Sequence, residues 1–193
     1  MASDMQNIIK DIIQESIDMK IKMQNLAPVI EQIVNCIIDA YKNENKVIIF
    51  GNGGSAADAQ HIAGEFVGRF FKERKALPCL ALNANTSIIT ALGNDYGFDY
   101  IFKRQVEANL KPGDVVIGIS TSGNSQNVIE AIKYANDNGG TTIAFVGEKP
   151  CKLDEIASIV LKIPSSSTPR IQEGHITAGH AICYLVEQEL FVE

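Results

Sequence analysis

Val47-Ile48-Ile49-Phe50-Gly51-Asn52-Gly53-Gly54-Ser55 decides the fold. Four consecutive apolar residues, three of them β-branched, read as a strand from Val47 to Phe50 that is buried on both faces. The glycines that end it open into a helix from Ser55 to about Phe71. Downstream the alternation repeats. Pro78 to Leu82 reads as a strand, and Thr86 to Leu110 as a helical stretch broken near Gly93 to Gly97. Asp114 to Ile119 is the next strand and Ser125 to Asn138 the next helix. Strands at Thr141 to Val146 and Ile159 to Ile163 precede a closing helix from Ile171 to about Leu190. Short Val/Ile-rich runs alternating with helical ones predict an α/β fold, a doubly wound αβα sandwich around a parallel sheet.

Upstream of Lys46 the pattern is helical throughout. Ile8, Ile9, Ile12, Ile13, Ile17 and Ile21 recur at helical spacing among charged residues. Pro28 suits a second helix start, followed by the apolar stripe Val29, Ile30, Ile33, Val34, Ile37, Ile38 and Tyr41. Two helices with such faces need a cover, either their own domain or a neighbouring subunit, and the reading adopted is a subunit interface.

Composition limits what the chain can be. Its 193 residues suffice for one domain, and 46% hydrophobic with 21% charged residues is globular rather than disordered. The 17 basic against 23 acidic residues, net charge −6, do not suit a nucleic-acid or membrane-surface binder. No apolar run approaches the roughly 20 residues of a membrane span. The first 20 residues interleave charges with isoleucines, unlike a signal peptide. Cys36, Cys79, Cys151 and Cys183 form no C-x-x-C pair and read as reduced, mostly packed thiols. The expectation is a soluble cytoplasmic protein with neither nucleic acid nor membrane as partner.

Open α/β sheets bind ligands beyond the carboxyl ends of their strands. Two such ends are unusual here. Gly51 to Ser55 brings three glycines to a strand end, with Ser55 and Asp58 at capping-box spacing. Ser120-Thr121-Ser122-Gly123-Asn124-Ser125 sets four hydroxyls at a helix N-terminus, where the helix dipole favours an anion. No P-loop lysine follows, which argues against a nucleoside triphosphate. Gly51, Gly53 and Ala56 satisfy a dinucleotide fingerprint, but the second strand ends in Leu82-Asn83-Ala84-Asn85-Thr86, without the acid that would hold a ribose. NAD is demoted accordingly.

The candidate reactive groups lie on two helices. His61 and Glu65 are four apart and share a face. Gln172 and His180 differ by eight positions, roughly 80° around the axis, so one group can touch both. A histidine and a carboxylate at that spacing make half a metal site, and Glu and His are also the usual groups for moving a proton on and off carbon. Taken singly, His175 reads as an exposed side chain.

Four segments, GNGGSAADAQHIAGE (51–65), ALGNDYGF (91–98), GISTSGNS (118–125) and RIQEGHITAGH (170–180), resemble the sugar isomerase (SIS) family and, within it, the phosphoheptose isomerases. The resemblance covers nearly the whole chain. It implies a single SIS domain over residues 1–193 with a five-stranded parallel sheet of flavodoxin-like order, and residues 1–45 as a helical extension used in oligomerisation. It further implies a homotetramer with active sites at subunit interfaces. The implied reaction converts sedoheptulose 7-phosphate to D-glycero-D-manno-heptose 7-phosphate, toward bacterial surface heptose. Carried over by motif, Glu65 and His180 would be the acid/base pair. Zn2+, one per subunit, would be held by His61, Glu65, Gln172 and His180. Asn52, Gly53, Gly54, Ser55, Asn94 and Asp95 would contact substrate together with Glu65 and Gln172, while Ser120, Thr121, Ser122 and Ser125 would hold its phosphate. Relatives often carry an acid where this chain has Pro169. A non-catalytic cousin that binds a replication initiator tends to lose the glutamate and the last histidine, which this chain keeps; isomerisation of another phosphosugar is a further alternative.

Overall fold

The structure is a computed structural model describing residues 2–192. Helices α1 (Ala2–Met23) and α2 (Ala27–Lys42) precede β1 (Val47–Gly51), α3 (Gly54–Val67) and β2 (Cys79–Ala81). Then come α4 (Thr86–Tyr96), α5 (Ile101–Asn109), β3 (Val115–Ile119), α6 (Gln126–Asp137) and β4 (Thr141–Gly147). A short α7 (Leu153–Ile156), β5 (Ile159–Ile163) and α8 (Thr168–Leu190) complete the chain. The five strands are all parallel in the order β2-β1-β3-β4-β5. The order reverses between β1 and β3, and such a switch point leaves a crevice at the strand ends. The loops Gly51 to Ser55 and Ser120 to Ser125 both open into it.

Alternation along each strand divides the core in two. Val47, Ile49, Ile117, Ile119, Phe145 and Leu161 face α2, α3 and α8, while Ile48, Phe50, Val116, Ala144 and Val146 face α5 and α6. This is the αβα sandwich expected, with α1 added outside α8. Among the described residues no helix is long and apolar enough to cross a membrane.

Several boundaries differ from the sequence reading, for physical reasons. α3 stops at Val67 instead of Phe71, because the backbone N–H groups of Phe70, Phe71 and Lys72 turn to the Glu187 carboxylate. The helical stretch after β2 breaks at Gly97, whose φ of 87° is one that glycine tolerates. α8 begins at Thr168 with Pro169 in its first turn. The capping box at Ser55 does not form, since Gly53 occupies the N-cap. The helical extension also divides. α2 covers its own domain, with Ile33, Val34, Ile37 and Ile38 buried, whereas Ile8, Ile12, Ile13, Ile17 and Ile21 of α1 stay exposed.

His175 corrects a further expectation. It is fully buried on α8, its ring tilted against that of Phe145, and its Nε2 donates to the Val146 carbonyl at 3.3 Å. Burial pushes its pKa down to about 4, which the Val146 contact only partly opposes. The unfolded imidazole titrates near 6.5, so the unfolded chain takes up the proton first as pH falls. Stability from this site is intact above pH 6.5 and is lost as pH drops toward 4. By linkage the loss at pH 5 is about 2 kcal/mol. Urea unfolding at pH 7 and pH 5 tests it: wild type loses about 2 kcal/mol more than His175→Gln over that interval, and equal losses contradict the assignment.

Candidate active site

At the switch point, β1 runs into a turn whose backbone is packed too tightly for side chains. A Cβ on Gly51 would lie 2.8 Å from the Ile119 carbonyl, and one on Gly54 would run into the Gln172 amide. Gly53 turns the chain with φ 56°. Asn83, at the tip of β2, brackets Gly51 by accepting from its N–H (3.2 Å) and donating to its carbonyl (2.8 Å). Asn52 and Asn127 exchange two amide hydrogen bonds of 2.8 and 2.9 Å, tying the β1 turn to the first turn of α6. From the sequence Asn83 reads only as part of an acid-free strand tip, and Asn127 as an ordinary helix residue. The only signal was their type, a short amide, at a strand tip and in a helix first turn.

The second loop gathers its hydroxyls. The Ser120 hydroxyl lies 2.9 Å from that of Ser125 and 3.5 Å from that of Ser122, and Ser122 Oγ accepts from the Asn124 N–H. Ser125 occupies the N-cap of α6 without capping it through its side chain, so its hydroxyl is turned to the loop. A cavity of about 70 Å3 opens here, lined by Asn52, Ser55, Ser120, Thr121, Ser125 and Gln172. Hydroxyls, loop N–H groups and the α6 dipole suit a small tetrahedral anion.

The reactive cluster lies on the α3 and α8 face. His61 Nε2 is 3.0 Å from Glu65 Oε1 and 3.2 Å from His180 Nε2, although the two histidines are 119 positions apart. The cause is a close helix crossing beside them. Gly179 of α8 packs against Ile62 of α3, where an added Cβ would meet Ile62 at 2.7 Å. Each of those residues is the chain neighbour of one histidine. The Phe70 ring lies 5.7 Å from that of His180. Asp58 is close enough for His61 and His180 to act on it. Burial raises its carboxyl pKa, the two histidines partly oppose the rise, and its Oδ2 is buried without a hydrogen-bond partner. Sequence reasoning had read Asp58 only as a cap partner.

The donor set fits a divalent transition metal. Two imidazole nitrogens and a carboxylate oxygen lie within 4.8 Å of one another, which is zinc ligand chemistry. One Nε2–H on His61 cannot serve both neighbours, whereas a cation among the three atoms would serve all of them. Gln172, expected beside this cluster, is placed against Gly54 and the anion cavity. Asn94 and Asp95 lie exposed on α4, Asn94 donating to Asp95 at 2.8 Å. Within the chain the structure thus groups His61, Glu65 and His180, groups Asn52, Ser55, Gln172 and the serine loop, and leaves Asn94 and Asp95 outside both.

The model of the SIS domain matches residues 13–147. The chain belongs to the SIS domain family. It is 58% identical over 168 residues to a phosphoheptose isomerase of Citrifermentans bemidjiense, spanning 87% of this chain and 88% of that one. It is 57% identical over 181 residues to one from Aquifex aeolicus, spanning 93% and 95%. Among solved structures, the phosphoheptose isomerase GmhA of Neisseria gonorrhoeae superposes with a TM-score of 0.91 at 40% identity, covering 95% of this chain and 99% of that one. The SIS sheet, its N-terminal helices and the switch-point crevice are therefore shared with these relatives.

The Gly179 contact yields a prediction. Gly179→Ala forces α3 and α8 apart at Ile62 and costs about 1–3 kcal/mol through overpacking. The displacement falls beside His61 and His180, so turnover drops more than stability alone explains. A variant with wild-type melting temperature and wild-type rate shows that the crossing is not tight.

Proposed function

We propose that this protein is a phosphoheptose isomerase, interconverting sedoheptulose 7-phosphate and D-glycero-D-manno-heptose 7-phosphate. The observation that carries this reading is the meeting of Glu65 and His180 from separate helices, in a chain that also sets a hydroxyl-lined cavity at its strand ends. A ketose-to-aldose shift moves a proton between C1 and C2 through an enediolate. It needs a base for a weakly acidic C–H, an acid for the oxygen, and stabilisation of the developing oxyanion. Glu65 and His180 share the proton transfers. The cradle of Ser120, Thr121, Ser122 and Ser125 anchors the phosphate, so binding energy far from the reacting carbons orients them. Asn52, Gly53, Gly54, Ser55 and Gln172 would contact the sugar, Asn52, Ser55 and Gln172 lining the same cavity as Ser120, Thr121 and Ser125. His61, Glu65 and His180, with Gln172 as a further ligand, would hold Zn2+. When bound, that ion supplies Lewis-acid stabilisation of negative charge on the substrate oxygens.

A pure binding module has no use for a glutamate and two histidines brought together from two helices, which favours the enzyme over an adaptor. The exposed isoleucines of α1, with Tyr96, Phe98 and Tyr100 exposed near Asn94 and Asp95, support a homotetramer in which a neighbouring protomer completes each site. Four free cysteines accord with the cytoplasm, where phosphosugars are made. The product would feed surface heptose in lipopolysaccharide, capsule or S-layer.

Two measurements test the assignment. Glu65→Gln lowers kcat with sedoheptulose 7-phosphate by at least about a hundredfold, within the range of general acid–base losses, while the phosphosugar still binds. A normal rate removes Glu65 from the chemistry. Replacing Ser120, Ser122 and Ser125 by alanine mainly raises KM; an unchanged KM moves the phosphate elsewhere.

A further inference from the structure

Glu187 is a charge in an unexpected place. Its side chain is fully buried on α8, and that of its partner Arg74, in the segment between α3 and β2, is 2% exposed. The carboxylate accepts from the backbone N–H groups of Phe70 (2.9 Å), Phe71 (2.7 Å) and Lys72 (2.8 Å) and from Arg74 Nε (2.9 Å). Burial works against the charge, yet the three N–H groups and then the guanidinium outweigh it and hold the carboxyl at about 2. Arg74 does more than neutralise Glu187. Its Nη2 donates to the Glu65 carbonyl at 2.8 Å and its Nη1 to the Phe66 carbonyl at 2.9 Å. Those two carbonyls belong to the last turn of α3.

Burying two charges costs several kcal/mol each, and a matched apolar pair often does as well or better. Stability is thus a poor reason for this arrangement, and position is a better one. Glu187 lies seven residues beyond His180, two turns less about 20°, and so on the same face of α8. Through Arg74 that face grips the backbone of Glu65 itself. α3 and α8 share an apolar interface that includes Gly179 on Ile62 beside the histidines, and the Arg74–Glu187 clasp adds a directional polar tie past Glu65. Apolar packing sets how closely the helices approach, whereas hydrogen bonds to the Glu65 and Phe66 carbonyls also fix the last turn of α3 along and around its axis. The same clasp folds the 70–72 turn that sets the Phe70 ring near His180.

We propose that Arg74 and Glu187 are positioning residues that fix Glu65 and His61 of α3 at their working distance from His180 of α8. The proposal rests on the isomerase reading for its effect on turnover. Its geometric content, the spacing of the three ligand atoms, is independent of that reading.

Arg74→Lys is the informative variant, because lysine keeps the charge beside Glu187 but lacks the planar fork that reaches the Glu65 and Phe66 carbonyls. Zinc alone, titrated against a chromogenic chelator, is expected to bind the folded variant at least tenfold more weakly than wild type. With sedoheptulose 7-phosphate, kcat is expected to fall at least tenfold while KM stays within about threefold, since the serine cradle lies on other loops. A merely structural pair lowers the melting temperature and leaves zinc affinity and kcat per folded molecule unchanged, and that result overturns the proposal. Should Arg74→Lys fail to fold, Glu187→Gln, whose single amide oxygen can still accept from the Phe71 and Lys72 N–H groups while its NH2 gives up the bonds from Phe70 and Arg74, is read by the same two measurements. Wild type that binds zinc but does not isomerise this sugar defeats the isomerase reading alone, and the zinc comparison still decides the clasp.

Discussion

The approach of α3 to α8 is the contact on which the site depends. Gly179 removes a side chain where Ile62 must pack, and His61 and His180, the chain neighbours of that pair, reach 3.2 Å as a result. Close packing makes this a stiff constraint, because a well-filled core resists even one added methyl group. The Arg74–Glu187 pair adds a second attachment farther along the same interface. Both helices rest on one face of the sheet, so the spacing of three polar side chains is inherited from apolar packing beneath them.

The anion end is built by a different device. It sits where the strand order reverses, with the turns after β1 and β3 side by side. The sheet ladder reaches the start of each turn, pairing Gly51 with Ile119 and running on through Ser120 N–H to Phe145 and Gly147 N–H to Thr121. Amide side chains add to it: Asn83 on the Gly51 backbone, and Asn52 with Asn127 across the gap between loops. Short amides suit this work because each offers a donor and an acceptor to backbone or to another amide. The serine hydroxyls are thereby left to face the cavity. The structure thus pairs a close helix crossing at the His61–His180 cluster with a hydrogen-bonded loop at the serine cavity.

Much of this was legible in the sequence. The β1 turn, the serine loop, the strand–helix alternation and the spacing of His61 and Glu65 all follow from local chemistry: glycine at tight turns, hydroxyls at a helix start, apolar runs of fixed period. Other features were not. His175 read as exposed yet lies in the core, because an imidazole carries no mark of which helix face will be covered. The helical pattern over α3 ran on to Phe71, since nothing near it in the chain announces that Glu187 will take the next backbone donors. α1 and α2 showed similar apolar stripes, but only α2 found its cover within the chain.

What the sequence by itself determined is therefore local: the elements, their order, the two ligand-facing turns, and which residue types stand ready for acid/base or metal chemistry. Turn and helix preferences act over a few residues, so a single stretch of chain suffices to read them. Tertiary structure alone decided which of those groups meet. It put His180 on His61, Glu187 on Arg74 and Asn127 on Asn52, and it left Asn94 and Asp95 exposed on α4. Those pairings depend on how helices cross and where the sheet order turns back, and that geometry is set by the packing of the whole core.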